Sequence, residues 1–436
     1  MARTRHVIVG GGTAGMNAIT TIRQYDRGAS EILLVSAERP YARMVLPYYL
    51  KGSISESHVY TATLARLQTL DVQTYFERRA ARLDTQASIL TLDDGTELPY
   101  DDLLIATGSS AVRPPVPGAS DPGVHSFWTL EQAQNVVRGI CQGCHVILVG
   151  AGFIAFTILN AILARGAHLS VVEIAPQILP RMIDQQGAEL VEQWLRDHGV
   201  TIRTNAQLTA IEDANAQKRL RFRESGDLLA DLVIMATGIR TNLEWLSGSG
   251  IEIKRGIVVD EHLRSNVPNV YAAGDVAEGR DLVTGQPAVH AIEPTAMEHG
   301  RIVGANMAGQ PLAYRGSLLM NIVEVQDLEI ASFGAWDEAQ SEVFSAFRPE
   351  RPAYRKLLWQ GDRLIGAMIL GRAQDIWTTN DVGMLKGLVQ SGVRLGDWKP
   401  YLRHNLFEIK RAYIAAGTTA RLLPQTVLGR PSVAVG

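Results

Sequence analysis

The stretch Val7-Ile8-Val9-Gly10-Gly11-Gly12-Thr13-Ala14-Gly15 decides how the rest of the chain folds. Apolar, mostly β-branched residues run straight into a glycine cluster, and an apolar periodic segment follows over residues 16–25. This order predicts a strand, a tight turn and a helix N-terminus that binds a dinucleotide pyrophosphate. Gly10 permits the turn, Gly12 lets the backbone approach the phosphates, and Gly15 lets the helix pack on the strand.

The same arrangement occurs twice in the chain. Residues 31–36 predict the second strand of the first unit, and Glu38 lies just beyond it, where a ribose-binding acid belongs. Residues 145–155 again read as strand, glycine turn and helix start, and residues 169–173 form a second strand that ends in Glu173. Ala-Thr-Gly also follows a strand twice, at 106–108 and at 236–238. A duplicated unit predicts two bound dinucleotides, which is far more specific than either loop alone.

Composition limits the classes of protein that fit. The chain has 436 residues, enough for two or three domains, and its net charge of −3 gives no general affinity for nucleic acid or anionic membranes. The two cysteines exclude a disulfide framework. The first strand begins by about His6, so we expect no signal peptide and a cytoplasmic protein. Residues 146–164 carry no charge, but Gly150 and Gly152 divide them into a strand and a helix, so we expect no membrane span.

The remaining segments predict an α/β protein with a third, α+β domain at the C-terminal end. We expect a helix over 59–70, a strand over 72–76, a hairpin over 88–100 and one strand over 228–235. From residue 316 the pattern changes to alternating strand-like segments. The expected domains are 1–115 with 245–315, then 116–244, then 316–436. Residues 345–436 hold 14 Lys and Arg against 6 Asp and Glu, which fits either a docking face for an acidic partner or a scattered solvated surface.

Taken together, these motifs resemble the pyridine nucleotide–disulfide oxidoreductase superfamily. The resemblance covers essentially the whole chain and includes Leu46-Pro47-Tyr48-Tyr49, residues 239–242 and Ala273-Gly274-Asp275. The most similar branch contains rubredoxin reductases, nitrite reductase large subunits and NADH oxidases. The resemblance implies two Rossmann-like domains, with FAD in the first and NADH in the second, and a C-terminal domain that forms a homodimer interface. An acid at Glu173 favours NADH over NADPH, because it repels a 2′-phosphate.

The resemblance also implies which residues hold the cofactors. It assigns the flavin ribityl chain to Asp275, the adenine to the backbone of Ala80, and the pyrimidine edge of the flavin to the helix that begins near Glu293. The implied cofactor-binding residues are Gly10, Gly12, Thr13, Ala14, Gly15, Glu38, Arg43, Pro47, Ala80, Ala106, Thr107, Gly108, Gly150, Gly152, Phe153, Ile154, Glu173, Gly238, Gly274, Asp275, Glu293, Pro294, Thr295 and Ala296.

Three positions depart from the pattern of the superfamily. Met44 stands where some members carry a redox cysteine, and a thioether forms neither a thiolate nor a disulfide. Thr157 replaces a usual glutamate, which either retunes hydride transfer or weakens nicotinamide binding. Cys141-Gln142-Gly143-Cys144 reads either as a redox dithiol or, as we expect, as two cysteines at a turn, and no metal site is expected. Met44, Thr157 and Glu293 are the candidates for roles beside a flavin-centred reaction.

The sequence therefore predicts an FAD-dependent NADH oxidoreductase that works without cysteine chemistry. A small electron carrier such as a rubredoxin or ferredoxin is the expected acceptor, and an acidic one fits the basic last domain. Two alternatives stay open. One is a flavoenzyme acting on a small organic substrate, with altered or lost nicotinamide use and a pocket shaped by Met44, Tyr48 and Thr157. The other is a non-catalytic FAD-bound subunit of a larger redox complex.

Overall fold

The computed structural model describes residues 3–337, 341–348 and 350–418. The chain divides into two compact units. The first unit comprises Met1–Val45, Ile54–Ser110 and Ile239–Leu318, and the second comprises Leu46–Ser53, Ala111–Gly238 and Leu319–Gly436. The finer division into three domains stays a prediction.

Helices and strands alternate along most of the chain. The helices are α1 (Thr13–Asp26), α2 (Leu46–Lys51), α3 (Leu64–Thr69), α4 (Leu130–Gly139), α5 (Phe153–Ala164), α6 (Gln185–Asp197), α7 (Glu293–Met307), α8 (Ile376–Ser391), α9 (Trp398–His404) and α10 (Ile409–Ala415). The strands are β1 (Arg5–Val9), β2 (Glu31–Ser36), β3 (Val72–Phe76), β4 (Ala80–Asp84), β5 (Ile89–Leu92), β6 (Glu97–Pro99), β7 (Asp102–Ile105), β8 (Ser109–Ala111), β9 (Val124–Ser126), β10 (His145–Val149), β11 (His168–Val172), β12 (Thr201–Arg203), β13 (Leu208–Ala214), β14 (Gln217–Phe222), β15 (Leu228–Ala230), β16 (Leu232–Met235), β17 (Ile239–Thr241), β18 (Ile257–Val258), β19 (Val270–Ala272), β20 (Ala277–Arg280), β21 (Pro287–Ala288), β22 (Met320–Val325), β23 (Leu328–Gly334), β24 (Glu342–Arg348), β25 (Ala353–Gln360) and β26 (Arg363–Arg372).

A parallel five-stranded sheet in the order β19-β7-β1-β2-β3 forms the centre of the first unit. Its central strands are buried on both faces, which is why they read as continuous apolar runs in the sequence. The antiparallel sheet β4-β5-β6 contains the hairpin predicted over 88–100. Strand order reverses at β1, so the carboxyl end of β1 is the position where open α/β sheets bind ligands.

The second unit repeats this parallel sheet in the order β12-β11-β10-β16-β9. Strand β10 takes the place of β1, and β16 takes the place of β7. The outer strands next to β16 and β7 differ in their place in the chain. Strand β9 precedes the other strands of its sheet, whereas β19 follows the other strands of its sheet. The duplication and the α/β fold class predicted from the sequence are therefore confirmed. The antiparallel sheet β22-β23-β26-β25-β24 and helices α8 to α10 follow in the same unit.

Close packing of α1 on α7 within the first unit depends on two glycines. A Cβ on Gly300 would lie 2.3 Å from the carbonyl oxygen of Ala14, and one on Gly304 would lie 2.6 Å from that of Ala18. Only hydrogen fits in either place, because real Cβ atoms essentially never approach that closely. These contacts hold the N-terminal half of α1 against the middle and the C-terminal half of α7.

Two of the predicted elements have different bounds in the structure, and one observed strand was not predicted. The helix expected over 59–70 begins only at Leu64, because the Thr63 hydroxyl accepts the Arg66 N–H at 3.1 Å and caps it. The strand expected over 228–235 is two strands, β15 and β16, because Ala230 pairs antiparallel with Lys218 whereas Leu232 pairs parallel with β10. Strand β24 was not predicted from the sequence, and its side chains are mostly exposed.

No helix in the described part of the chain has the length and apolar character that a bilayer crossing requires. The uncharged run over 146–164 is β10, a glycine turn and the 12-residue helix α5. The expected interruption at Gly150 and Gly152 is therefore confirmed.

Candidate functional site

The first glycine loop leaves an open space in front of α1. Gly10 has a φ of +114°, and a Cβ there would lie 2.1 Å from the carbonyl oxygen of Ala106. A Cβ on Gly15 would lie 2.0 Å from the Gly10 carbonyl oxygen, whereas one on Gly12 would meet no atom within 4 Å. Gly12 is the N-cap of α1 and offers no side-chain cap, so N–H groups of the first turn stay available for an anion.

Two further elements of the first unit converge on the start of α1. A Cβ on Gly274 would lie 3.4 Å from the Ala14 Cβ and 3.7 Å from the Ala296 Cβ, so the Ala273-Gly274-Asp275 turn touches both helix N-termini. The Thr13 side chain hydrogen-bonds to Glu293, the first residue of α7. Burial raises the pKa of the Glu293 carboxyl, and the contact with Thr13 opposes that shift. Pro294 follows at the helix start, and Thr295 and Ala296 are buried.

A chain of polar contacts connects two of the predicted cofactor-binding carboxylates. The Tyr41 hydroxyl donates to both Glu38 carboxylate oxygens at 3.1 Å, and Arg43 forms an ion pair with Glu38 at 3.8 Å. Arg43 also donates to the Ser109 carbonyl at 3.1 Å, and the Ser109 hydroxyl donates to Asp275. Glu38, Arg43 and Asp275, which are far apart in sequence, are thus brought together at one end of the parallel sheet.

His299 is a site residue whose contact sequence reasoning missed. It is fully buried on α7, and its Nδ1 accepts the Gly274 N–H at 3.2 Å, which places the ring proton on Nε2. Burial lowers its pKa to about 3, with a further contribution from His290, so the ring is neutral at neutral pH. Nothing local in the sequence indicates the hydrogen bond to a residue 25 positions earlier.

The second glycine loop reproduces the first with one difference. Gly150 has a φ of +101° and a Cβ there would lie 2.5 Å from the Ala236 carbonyl oxygen, whereas one on Gly152 would meet nothing within 4 Å. Gly152 is the N-cap of α5, which begins with Phe153 and Ile154. The buried methyl group of Ala155 takes the place of the hydrogen of Gly15. This loop therefore offers the same open helix N-terminus to a pyrophosphate.

Glu173 lies directly against the second loop. Its side chain is 9% exposed, and its carboxylate accepts the Ala151 N–H at 2.6 Å and the Ala175 N–H at 2.8 Å. These two bonds fix a negative charge at the carboxyl end of β11. That is the position from which an acid binds the hydroxyls of an adenosine ribose.

The threonine hydroxyls of the two Ala-Thr-Gly turns hydrogen-bond to backbone carbonyl groups. The Thr107 hydroxyl donates to the Asn242 carbonyl at 2.8 Å, and the Asn242 amide donates to the Thr107 carbonyl at 2.9 Å. The Thr237 hydroxyl donates to the Val112 carbonyl at 2.7 Å. Gly108 and Gly238 have φ values of +64° and +110°, and a Cβ on either would meet no atom within 4 Å. The glycines, rather than the threonine hydroxyls, therefore face open space.

Four further residues from the sequence predictions, two of them departures from the superfamily pattern, have no contact within the described part of the chain that assigns them a role. Met44 lies in the one-turn 3₁₀ helix Arg43–Val45 and is 49% exposed, and Pro47 is the second residue of α2. The Thr157 hydroxyl donates to the Ile154 carbonyl at 2.7 Å, within α5. Ala80 begins β4 and pairs with Leu92. The roles assigned to these four residues remain predictions.

These arrangements fit dinucleotides by their chemistry. Each loop places a helix N-terminus against open space, which suits a pyrophosphate, and each has an acid at the end of the next strand, which suits ribose hydroxyls. Among the described residues, no three or more His, Cys, Asp or Glu side chains are placed to hold a metal ion. The fold and both loops are those of a protein that binds two dinucleotides.

Comparison with known proteins shows which protein family the chain resembles. Residues 4–297 match the family model described as pyridine nucleotide-disulphide oxidoreductase. The chain is 30% identical over 306 residues to a rubredoxin-NAD(+) reductase of Pseudomonas putida, covering 70% of this chain and 80% of the relative. It is 27% identical to the nitrite reductase [NAD(P)H] of Bacillus subtilis, covering 86% of this chain but only 46% of that protein. A solved NAD-dependent persulfide reductase from A. fulgidus superposes with a TM-score of 0.83 at 26% identity, covering 90% of this chain and 78% of that one.

The chain belongs to the pyridine nucleotide–disulphide oxidoreductase family. It is an NAD(P)H-dependent oxidoreductase, and FAD and NADH are its cofactors. The predicted superfamily, enzyme class and cofactors are thereby confirmed.

Proposed function

We propose that this protein takes reducing equivalents from NADH through FAD to a small electron-carrier protein, and that no cysteine takes part in this electron transfer. When bound, FAD supplies the chemistry, accepting a hydride from NADH and releasing electrons to the carrier. The side chains of this chain bind and orient the cofactors and set the electrostatics around them. The duplicated glycine loop carries the proposal, because each copy has an open helix N-terminus and an acid at the end of the next strand.

In the first unit we assign the FAD pyrophosphate to the amides of Gly12, Thr13 and Ala14 at the start of α1. Glu38 would accept the hydroxyls of the adenosine ribose, and Asp275 would accept those of the ribityl chain. The N-terminus of α7 would place its positive dipole end beside the flavin, which stabilises negative charge there. Support comes from the contacts that join Glu38, Arg43, Ser109 and Asp275.

In the second unit we assign NADH to the loop of Gly150 and Gly152, the start of α5 at Phe153 and Ile154, and Glu173. The Glu173 carboxylate is held in place by two backbone amides, so it cannot turn away from a 2′-phosphate. NADH is therefore the preferred reductant, and NADPH is disfavoured by charge repulsion and by desolvation of the extra phosphate.

Cysteine chemistry is absent from this proposal because Met44 occupies the position at which some relatives carry a thiol. A thioether neither ionises nor forms a disulfide. Electrons must then leave by direct transfer to the acceptor, rather than through a protein disulfide. This argument favours a carrier protein over a disulfide substrate.

A small carrier is supported by the rubredoxin reductase relative and by the basic side chains of the C-terminal region. Arg403 is 60% exposed on α9, and Lys410 and Arg411 are exposed on α10. Arg403 and Arg411 also pair with carboxylates, those of Glu342 and Glu408, but their side chains stay mostly exposed. Lys399 bonds Glu342 and the Gly361 carbonyl with only 18% of its side chain exposed. The surface that we propose for an acidic carrier therefore consists of Arg403, Lys410 and Arg411, without Lys399.

The test is steady-state reduction of a rubredoxin and of a [2Fe–2S] ferredoxin by NADH, at ionic strengths from 20 mM to 500 mM. Lys410→Glu should lower kcat/KM for the carrier and weaken its salt dependence, because exposed charges act through a screened field. Lys254→Glu makes the same charge change on an exposed residue of the first unit and should alter neither. Equal effects of both variants, or rapid turnover of a small organic substrate without any carrier, would contradict the proposal.

We also propose a homodimer that uses the C-terminal region. Ile376 and Trp377, at the start of α8, are 68% and 62% exposed, so two adjacent large apolar side chains of this region face solvent. Sedimentation equilibrium should give twice the chain mass, and Trp377→Glu should shift the protein to monomer. A monomeric wild type at micromolar concentration would contradict this proposal.

A further inference from the structure

The two cysteines of the chain occupy a tight turn that the proposed function does not use. Cys141-Gln142-Gly143-Cys144 connects α4 to β10 in the second unit. The Cys144 N–H donates to the Cys141 carbonyl at 3.3 Å, and Gly143 has a φ of +75°, so the four residues form a β-turn. A β-turn holds its first and last Cα atoms within about 7 Å. Disulfides span a Cα separation of about 4.4–6.8 Å.

The sulfur of Cys144 is directed back over the turn. It accepts the Cys141 N–H at 3.1 Å, and its thiol donates to the Cys141 carbonyl at 2.9 Å. The Cys144 thiol also contacts the Cys141 side chain. The two free thiols are therefore neighbours, and joining them needs rotation of side chains rather than movement of the backbone.

The surroundings hold the backbone of the turn in this shape. The Gly143 N–H donates to the Gly166 carbonyl at 2.7 Å, and the His168 N–H donates to the Cys144 carbonyl at 2.9 Å. A Cβ on Gly166 would lie 3.1 Å from the Gln142 Cγ, so the turn lies closely against the connection between α5 and β11. Little conformational freedom then remains to be lost when a bond forms between the sulfurs.

The two thiols differ in access. Cys141 is exposed, whereas Cys144 is 4% exposed. Burial is also the main factor that raises the pKa of the Cys144 thiol, so Cys144 is the weaker first nucleophile. An incoming disulfide can therefore reach Cys141 first, and Cys144 is placed to attack second.

We propose that Cys141 and Cys144 form a reversible intramolecular disulfide by exchange with a small-molecule disulfide of the glutathione type. The Cys141 sulfur attacks one sulfur of that molecule, the external S–S bond breaks, and the first small thiol leaves with the proton from Cys141. The Cys144 sulfur then attacks the Cys141 sulfur, the mixed disulfide breaks, and the second small thiol leaves with the proton from Cys144. Two protein thiols are oxidised by two electrons, and one external disulfide is reduced to two thiols. The site is independent of the flavin chemistry proposed above.

The experiment uses the full-length protein with its bound flavin, incubated with oxidised and reduced glutathione at several ratios under nitrogen. Because the sequence has only two cysteines, a thiol assay and the intact mass report on this pair directly. We expect both thiols to disappear together, the mass to fall by two hydrogens, and a peptide map to show residues 141 and 144 joined. Excess reduced glutathione should restore both thiols.

Cys144→Ser is the matched control, because a hydroxyl can keep the hydrogen bonds to the N–H and carbonyl of Cys141. The reaction of this variant should stop at a mixed disulfide between Cys141 and one glutathione. Three results would overturn the proposal: a stable glutathione adduct on the wild type at every ratio, a disulfide between two chains on a non-reducing gel, or two thiols that persist in oxidised glutathione although Cys141 reacts readily with a maleimide. If flavin reduction by NADH fails while the internal disulfide forms, only the proposed function is contradicted.

Discussion

His299 Nδ1 accepts the backbone N–H of Gly274 at 3.2 Å, which ties the middle of α7 to the turn that presents Asp275. Both partners are buried, and Gly274 has a φ of +73°, which a glycine adopts without strain. We therefore regard His299 as a positioning residue for Asp275. It acts through the backbone and does not itself contact the ribityl chain in our assignment.

Replacing His299 by Leu should weaken FAD binding and destabilise the fold by about 1–3 kcal/mol, because the buried Gly274 N–H loses its acceptor. Leu fills much of the space, whereas Asn leaves a cavity but offers a carbonyl oxygen near the position of Nδ1. If hydrogen bonding dominates, His299→Asn should retain FAD better than His299→Leu. Rebinding of FAD to apoprotein, followed by quenching of flavin fluorescence, measures both variants. Better retention by Leu would show that His299 acts by packing alone.

The low pKa of His299, about 3, predicts a pH dependence of stability. In the unfolded chain the imidazole binds a proton below about pH 6.5, whereas in the folded protein it stays neutral until about pH 3. The unfolded state therefore binds more protons in this window, and the free energy of unfolding falls as the pH falls. Between pH 7 and pH 5 the titration of His299 should lower the free energy of unfolding by roughly 2 kcal/mol.

Urea unfolding of wild type and His299→Asn at pH 7, 6 and 5 measures this contribution. The variant has no titrating group at position 299, so its free energy of unfolding should fall less steeply with decreasing pH. Parallel curves for the two proteins would show that His299 is not responsible for the slope.

Gly300→Ala tests the contact between α1 and α7. The new Cβ would lie 2.3 Å from the Ala14 carbonyl oxygen, so the helices must separate, at a cost of about 1–3 kcal/mol. Because Ala14 belongs to the first glycine loop, FAD affinity should fall as well. Gly383→Ala in α8 is the matched control, since its Cβ would meet no atom within 4 Å. That control should gain about 0.5–1 kcal/mol from helix propensity, and a similar gain in Gly300→Ala would refute the tight contact.

Glu173→Gln tests the nucleotide preference. The variant keeps the shape of the side chain but loses the charge that faces a 2′-phosphate, so the ratio of kcat/KM for NADH over NADPH should fall about tenfold, equivalent to ~1.4 kcal/mol. Glu189→Gln, an exposed residue of α6, controls for loss of one negative charge and should leave the ratio unchanged. If Glu173→Gln kept the preference of the wild type for NADH, the assignment of Glu173 to the ribose site would be contradicted.

The sequence predicted those parts of the candidate site whose residues lie close together in the chain. Gly10, Gly15 and Gly150 are required because a Cβ at these positions would clash with a backbone carbonyl oxygen, and such requirements leave a characteristic spacing in the sequence. Glu38 and Glu173 likewise follow closely after their strands, Glu38 two residues after β2 and Glu173 directly after β11. The repeat in the sequence predicted the second glycine loop, which the structure contains.

The remaining contacts join residues that are far apart in the chain, and no short motif marks them. Ser109 donates to Asp275 across 166 positions, and Thr107 exchanges hydrogen bonds with Asn242 across 135. Nothing near Lys399 in the sequence indicates its pairing with Glu342. Such pairs depend on which loops the sheet brings to one end, and only the folded chain specifies that.

The central claim is that NADH reduces the flavin of this protein, and one anaerobic titration tests it most directly. The purified yellow protein is titrated first with NADH and, in a separate sample, with NADPH, while the visible flavin absorbance is followed. The account predicts that about one equivalent of NADH bleaches the flavin, and that NADPH bleaches it only at much higher concentration or more slowly. A flavin that stays oxidised in excess NADH but is bleached by dithionite would contradict the account.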